Sequence, residues 1–139
     1  MKHQASTSDQ SFRTEFEACR FPPGGFNHRA HIRLAYVYLV DHDTDAAHRL
    51  MQQALLNFLR HNGVNVSKYH ETMTRAWIMA VRHFMESSPP SDSSEAFVEG
   101  NTSMLDSKIM MTHYSAEVLL SEEARARFVE PNLSPIPRY

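Results

Sequence analysis

Apolar residues recur every three or four positions along several stretches of this chain, which is the spacing of a buried helix face. One such set comprises Ile32, Ala35, Tyr36 and Leu39. The pattern predicts a short helix at residues 11–20. It predicts longer helices from the N-cap Asn27 to about Val40, at residues 46–61, and from Ser67 onward.

In the last third of the chain the stretches with helical spacing of apolar residues are shorter. It predicts a helical turn at 95–100 and helices at 104–112, 115–120 and 121–129. Three prolines after residue 130 predict an extended, polyproline-like tail. Residues 1–10 are polar and small, and we expect them to be disordered.

No stretch alternates apolar and polar residues as a half-buried strand would. The fold is therefore predicted to be all-α. We expect a compact bundle of three or four main helices, with short C-terminal helices and the extended proline-rich tail. Residues 11–139 are expected to form a single helical domain.

The composition of the chain limits the classes of partner that the protein is expected to bind. The chain has 139 residues, 42% of them hydrophobic, and a net charge of -2. It lacks the basic stripe of a nucleic-acid-binding protein, so no nucleic-acid partner is expected. Arginines interrupt its long apolar stretches, so no membrane span is expected. The N-terminus has no apolar signal region, and the single cysteine, Cys19, cannot form an internal disulfide. These features predict a cytoplasmic protein, and its eight methionines leave a homodimer open.

Histidine is unusually frequent, with nine residues. We interpret His3, His42, His48 and His61 as scattered surface residues. By contrast, His28 and His31 stand at the start of an apolar helix, where side chains at i and i+3 are neighbours roughly 5–6 Å apart between Cβ atoms. Two imidazoles placed in this way can approach the same atom.

Two other segments place histidine at a predicted helix terminus. Tyr69, His70 and Glu71 lie in the first turn of the third long helix, and His113 with Tyr114 ends a short helix. If the three termini converge, four histidines and one carboxylate share a site framed by two tyrosines.

A divalent transition metal would suit this set. His28, His31, His70 and His113 are the candidate ligands, and Glu71 is a further ligand or a general base. Tyr69 and Tyr114 would orient groups or donate protons. We therefore expect a metal-dependent enzyme acting on a small molecule, with iron, zinc, copper and nickel equally compatible.

Two other functions remain open. A metal-free enzyme, such as an isomerase, cyclase or dehydratase, could use Glu71 and a histidine as acid and base. A non-catalytic binding module could use the histidines structurally. The zinc-protease motif HExxH is excluded, because Thr74 stands where the second histidine would be.

The segments FNHRAHIRLA, YHETMTRAW and THYS, followed by SEEARARFVEPNLSPIP, occur here in one order and spacing. In this the chain resembles a family of small helical bacterial proteins that are mostly uncharacterised. The resemblance covers residues 26–137. It implies that the histidine segments and the tail form one unit, and it implies no particular reaction.

Overall fold

A computed structural model describes residues 2–139, and this range contains helices and connecting segments without a β-strand. The α-helices are α1 (Thr7–Glu17), α2 (His28–Asp41), α3 (Thr44–His61), α4 (Glu71–Glu86), α5 (Ser94–Glu99), α6 (Ala116–Leu119) and α7 (Glu122–Ala126). Short 3-10 helices lie at Pro23–Gly25, Val66–Lys68, Thr102–Leu105 and Ser107–Thr112. The all-α prediction is confirmed.

Helix α4 lies at the centre of the bundle and packs against both α2 and α3. Its face bearing Trp77, Ile78 and Val81 is almost entirely buried, as the helical spacing requires. Helix α1 covers one end of the bundle through Phe16, whose ring stacks on Phe58 of α3 at a centroid distance of 4.4 Å. Burial of these aromatic and aliphatic faces is the main source of stability.

Two helix starts differ from the prediction. Helix α1 begins at Thr7, within the segment expected to be disordered, because Ser6 and Asp9 form a reciprocal capping box. Helix α4 begins at Glu71 and not at Ser67, which lies in the 3-10 helix Val66–Lys68. The predicted starts of α2 and α3 are close to those observed, with Asn27 and Asp43 as N-caps.

The predicted helix at 104–112 is wrong. This segment contains two 3-10 helices that are separated at Asp106, whose carboxylate accepts a hydrogen bond from the backbone N–H of Lys108. The tail is extended as expected, and the backbone N–H of Ser134 donates to the carbonyl of Thr112. Ile136 of the tail is buried in the core.

Among residues 2–139, no helix combines the length and the apolar character that crossing a bilayer requires.

Asp9 joins three helices. Only 1% of its surface is exposed, and it accepts hydrogen bonds from the backbone and hydroxyl of Ser94 at the start of α5. It also pairs with Arg33 of α2 at 2.9 Å. Burial by itself would raise the pKa of Asp9, but the hydrogen bonds from Ser94, Ser6 and Arg33 outweigh it and lower the pKa below its ordinary value.

Asp9→Asn should lower the free energy of unfolding at pH 7 by about 2 kcal/mol, because Arg33 loses its charge partner and the Ser94 hydroxyl loses an anionic acceptor. The pKa of Asp9 is lower in the folded than in the unfolded chain. Its contribution is therefore present above about pH 4 and is lost as the pH falls through the folded pKa. Urea unfolding at several pH values measures both effects.

The control is Asp92→Asn, which neutralises an exposed carboxylate near α5. It should leave the stability almost unchanged. Equal stabilities of the two variants at pH 7 would contradict the role assigned to Asp9.

Candidate functional site

A cavity of about 730 Å³ lies between α2, α3, α4 and the segments that follow residue 104. Its bundle side is formed by apolar side chains that include Phe58, Met73 and Trp77. Met110 and Leu119 close the other side, and the cavity opens to solvent. Most of the lining surface is apolar.

Four of the predicted site residues line this cavity: His28, His31, Tyr69 and His70. The convergence of the first two helix termini is therefore observed. The others lie elsewhere: Glu71 faces α3, Tyr114 is in the core, and His113 is beside the tail.

His28 is tied to the backbone. Its Nε2 donates a hydrogen bond to the carbonyl of Met104 at 2.8 Å, and its ring packs edge-on against Trp77 with centroids 4.7 Å apart. The bond joins the start of α2 to a residue 76 positions later. It leaves only Nδ1 of His28 without a protein partner in the described part of the chain.

His70 uses both ring nitrogens. It is the N-cap of α4, where its Nδ1 accepts a hydrogen bond from the backbone N–H of Met73 at 3.1 Å. Nδ1 is therefore unprotonated, and Nε2 donates to the carbonyl of Leu119 at 2.7 Å. Burial lowers the pKa of His70, which favours the neutral form of the ring.

His31 differs from both. The backbone N–H of His31 donates to the carbonyl of Asn27, but its ring makes no hydrogen bond with any of residues 2–139. The ring nitrogens are not sealed from solvent. Burial, with a smaller effect from the neighbouring His28, lowers the pKa of His31 to about 4. At neutral pH the cavity therefore contains an uncharged imidazole that can both donate and accept a hydrogen bond.

Glu71 does not line the cavity and belongs to a hydrogen-bond network that links Tyr69, the start of α4 and α3. Its Oε1 accepts from the Tyr69 hydroxyl at 2.6 Å and from Nε2 of His48 at 3.0 Å. Arg75 donates to Nδ1 of His48 at 3.3 Å and to Asp45 at 2.8 Å. Burial and the bond to Glu71 raise the pKa of Tyr69, so its phenol stays protonated.

The interpretation of His48 as a surface residue is wrong, since only 8% of it is exposed. A signal was present in the sequence, because His48 shares its helical stripe with Met51 and Leu55 at positions i+3 and i+7.

The third predicted terminus does not reach the cavity. Nδ1 of His113 donates to the carbonyl of Ser134 at 2.8 Å, which fastens the tail. Tyr114 is fully buried and donates to the carbonyl of Val129 at 2.6 Å. Burial raises the pKa of Tyr114 to about 12, so this tyrosine is a structural donor.

The four predicted histidine ligands, Glu71 and the two tyrosines thus do not come together at one site. Nowhere in residues 2–139 do three or more histidine, cysteine or acidic side chains form a group that could hold a metal ion. His28 and His31 are the cavity residues that retain free nitrogens, whereas His70 has none. The metal centre stays a prediction from the sequence.

Comparison of the chain with protein-family models, with curated proteins and with solved structures found no match.

The stability of the protein should fall between pH 6.5 and pH 4 because of His31. In that interval the unfolded imidazole binds a proton and the folded one does not, so lowering the pH favours unfolding. In His31→Gln, the loss of unfolding free energy from pH 7 to pH 4.5 should be about 1–2 kcal/mol smaller than in wild type. Because His31 is partly exposed to solvent, we expect this difference in unfolding free energy to be smaller than for a fully buried imidazole.

Urea unfolding at a series of pH values measures this difference, and His42→Gln at an exposed position is the matched control. Identical pH profiles for wild type and His31→Gln would show that His31 is not buried as a neutral ring.

His70→Ala should lower the free energy of unfolding by about 1–2 kcal/mol, because it removes a helix cap and leaves the Leu119 carbonyl without a donor. His70→Asn should cost about half as much, since an asparagine oxygen can also accept the Met73 N–H. Urea unfolding at pH 7 distinguishes the two. Wild-type stability in both variants would refute the capping role.

Proposed function

We propose that this chain binds a small, largely apolar molecule in the cavity between α2, α3, α4 and the C-terminal segments. One observation carries the proposal: an apolar cavity of about 730 Å³, open to solvent, is lined by the His31 imidazole, whose nitrogens have no hydrogen-bond partner among residues 2–139. Sites for small molecules are typically apolar hollows of roughly 300–1,000 Å³ with a few polar groups.

The tied histidines support the same proposal. His28 and His70 donate their Nε2 protons to the carbonyls of Met104 and Leu119. These bonds fix the C-terminal wall of the cavity to the starts of α2 and α4. A pre-formed cavity lowers the entropic cost of binding, because fewer groups are ordered by the ligand. His31 then supplies a directional contact to a hydroxyl, amide or carbonyl group of the ligand.

Binding is favoured over acid–base catalysis by the position of Glu71. The metal-free enzyme expected from the sequence needs Glu71 and a histidine beside the substrate. Instead, Glu71 is not among the residues that line the cavity, and it accepts hydrogen bonds from Tyr69 and His48. His31 has no carboxylate partner to orient it, which a general base usually requires.

A metal-dependent function is the second candidate, supported by the i, i+3 spacing of His28 and His31 at the start of α2. Between them they keep three nitrogens free of protein hydrogen bonds within residues 2–139, although neutral imidazole offers one lone pair per ring to a metal. Two protein ligands would leave the remaining positions to the substrate and water.

The binding proposal is tested with N-phenyl-1-naphthylamine, a neutral dye whose fluorescence rises in apolar surroundings. Wild type should bind about one dye per chain. Met73→Trp should weaken dye binding at least tenfold, because the larger side chain fills part of the cavity that Met73 lines.

The control is Leu133→Trp, which adds the same side chain at an exposed leucine outside the cavity. It should bind the dye as wild type does. Equal dye binding by both variants, or none by folded wild type, would refute the proposal.

Elemental analysis distinguishes the metal-dependent function from metal-free binding. Protein purified without chelators or nickel resin is expected to contain far less than one metal ion per chain. Stoichiometric iron, zinc, copper or nickel that is lost in both His28→Ala and His31→Ala, but not in the exposed His42→Ala, would instead establish a metal site.

A further inference from the structure

The charged residues at the cavity are of one sign. Lys68 and Lys108 line it, and no aspartate or glutamate of residues 2–139 does so. The chain has only three lysines, so two of them stand at this single opening. This asymmetry occurs in a protein whose overall net charge is -2.

Both lysines are available to a ligand. They are exposed at the rim, and neither forms an ion pair with a carboxylate anywhere in the described range. The acidic residues nearest to the two lysines in sequence are engaged elsewhere. Asp106 accepts a hydrogen bond from the backbone N–H of Lys108, and Glu71, three residues after Lys68, accepts from Tyr69 and His48. The two ammonium groups therefore face the cavity mouth without internal neutralisation.

Exposed apolar side chains continue the cavity wall outward. Val64, Met111 and Leu120 line the cavity and are 39%, 39% and 64% exposed. An occupant would therefore meet apolar surface along its length and positive charge at its solvent end. Exposed apolar patches of this kind often mark binding sites.

We infer that the ligand is an amphiphilic monocarboxylate, whose apolar body lies in the cavity and whose carboxylate faces Lys68 and Lys108 at the rim. This inference rests on the proposed binding function. A carboxylate at the rim keeps much of its hydration, so its attraction to the lysines is not cancelled by a large desolvation cost. A cation with the same apolar body would be repelled.

The test uses decanoate, 1-decanol and decylammonium, each below its aggregation limit, in competition with N-phenyl-1-naphthylamine at low salt. The double variant Lys68→Gln/Lys108→Gln should bind decanoate about five- to tenfold more weakly than wild type, since each exposed ion pair contributes up to about fivefold. Its affinity for 1-decanol should be unchanged, and its affinity for decylammonium should rise. Added salt should weaken only decanoate binding to wild type.

Lys2→Gln is the matched control, because it removes the third lysine without touching the cavity. It should leave all three affinities as in wild type. Loss of decanoate affinity in Lys2→Gln equal to that in the double variant would assign the effect to net charge and overturn the inference.

Different results would refute the monocarboxylate inference and the proposed binding function. If 1-decanol and the dye bind but the double variant retains full affinity for decanoate, the two lysines do not select a carboxylate. The inference is then overturned, and the proposed binding of apolar molecules stands. If neither the dye nor any of the three compounds binds to folded wild type, the proposed function itself is refuted.

Discussion

Two hydrogen bonds from histidine rings hold the C-terminal third of the chain against the helical bundle. His28 reaches the carbonyl of Met104 from the start of α2, and His70 reaches that of Leu119 from the start of α4. Each imidazole is partly withdrawn from water, and the backbone carbonyl that accepts its Nε2 proton offsets the lost hydration. The segments fastened in this way form one side of the cavity, so its shape depends on both bonds. This explains why histidine, and not leucine or lysine, occupies these positions.

The fold was largely predictable because most helices begin with a local signal. Asn27, Asp43 and Ser121 are caps that the sequence displays, and the apolar stripes behind them have helical spacing. Two starts were missed for different reasons. The pair Ser6 and Asp9 is a capping box hidden in a polar segment, and its carboxylate is stabilised by α5, which is distant in sequence. His70 is a rarer capping residue, so Ser67 was the stronger local candidate.

The site was only partly predictable, since the chemistry of a histidine depends on which atom its nitrogens meet. Sequence spacing predicted that His28 and His31 are neighbours and identified His70 as a candidate partner if the helix termini converge, and all three line one cavity. It could not show that two of them donate to carbonyls 76 and 49 residues away in sequence. Nor could it show that Glu71 faces His48, because the packing of α3 against α4 decides which side chains meet there. Long-range packing thus determined which imidazole remained free.

The most direct test of this account is long-range proton–nitrogen NMR of the imidazole rings, recorded with and without 1-decanol and assigned with single His→Gln variants. The account predicts that 1-decanol shifts the ring signals of His31 and leaves those of His113 unchanged. It also predicts that His70 keeps the pattern of the tautomer protonated at Nε2 throughout the titration. An unchanged His31, or a His70 that lacks this tautomer in the free protein, would contradict the account.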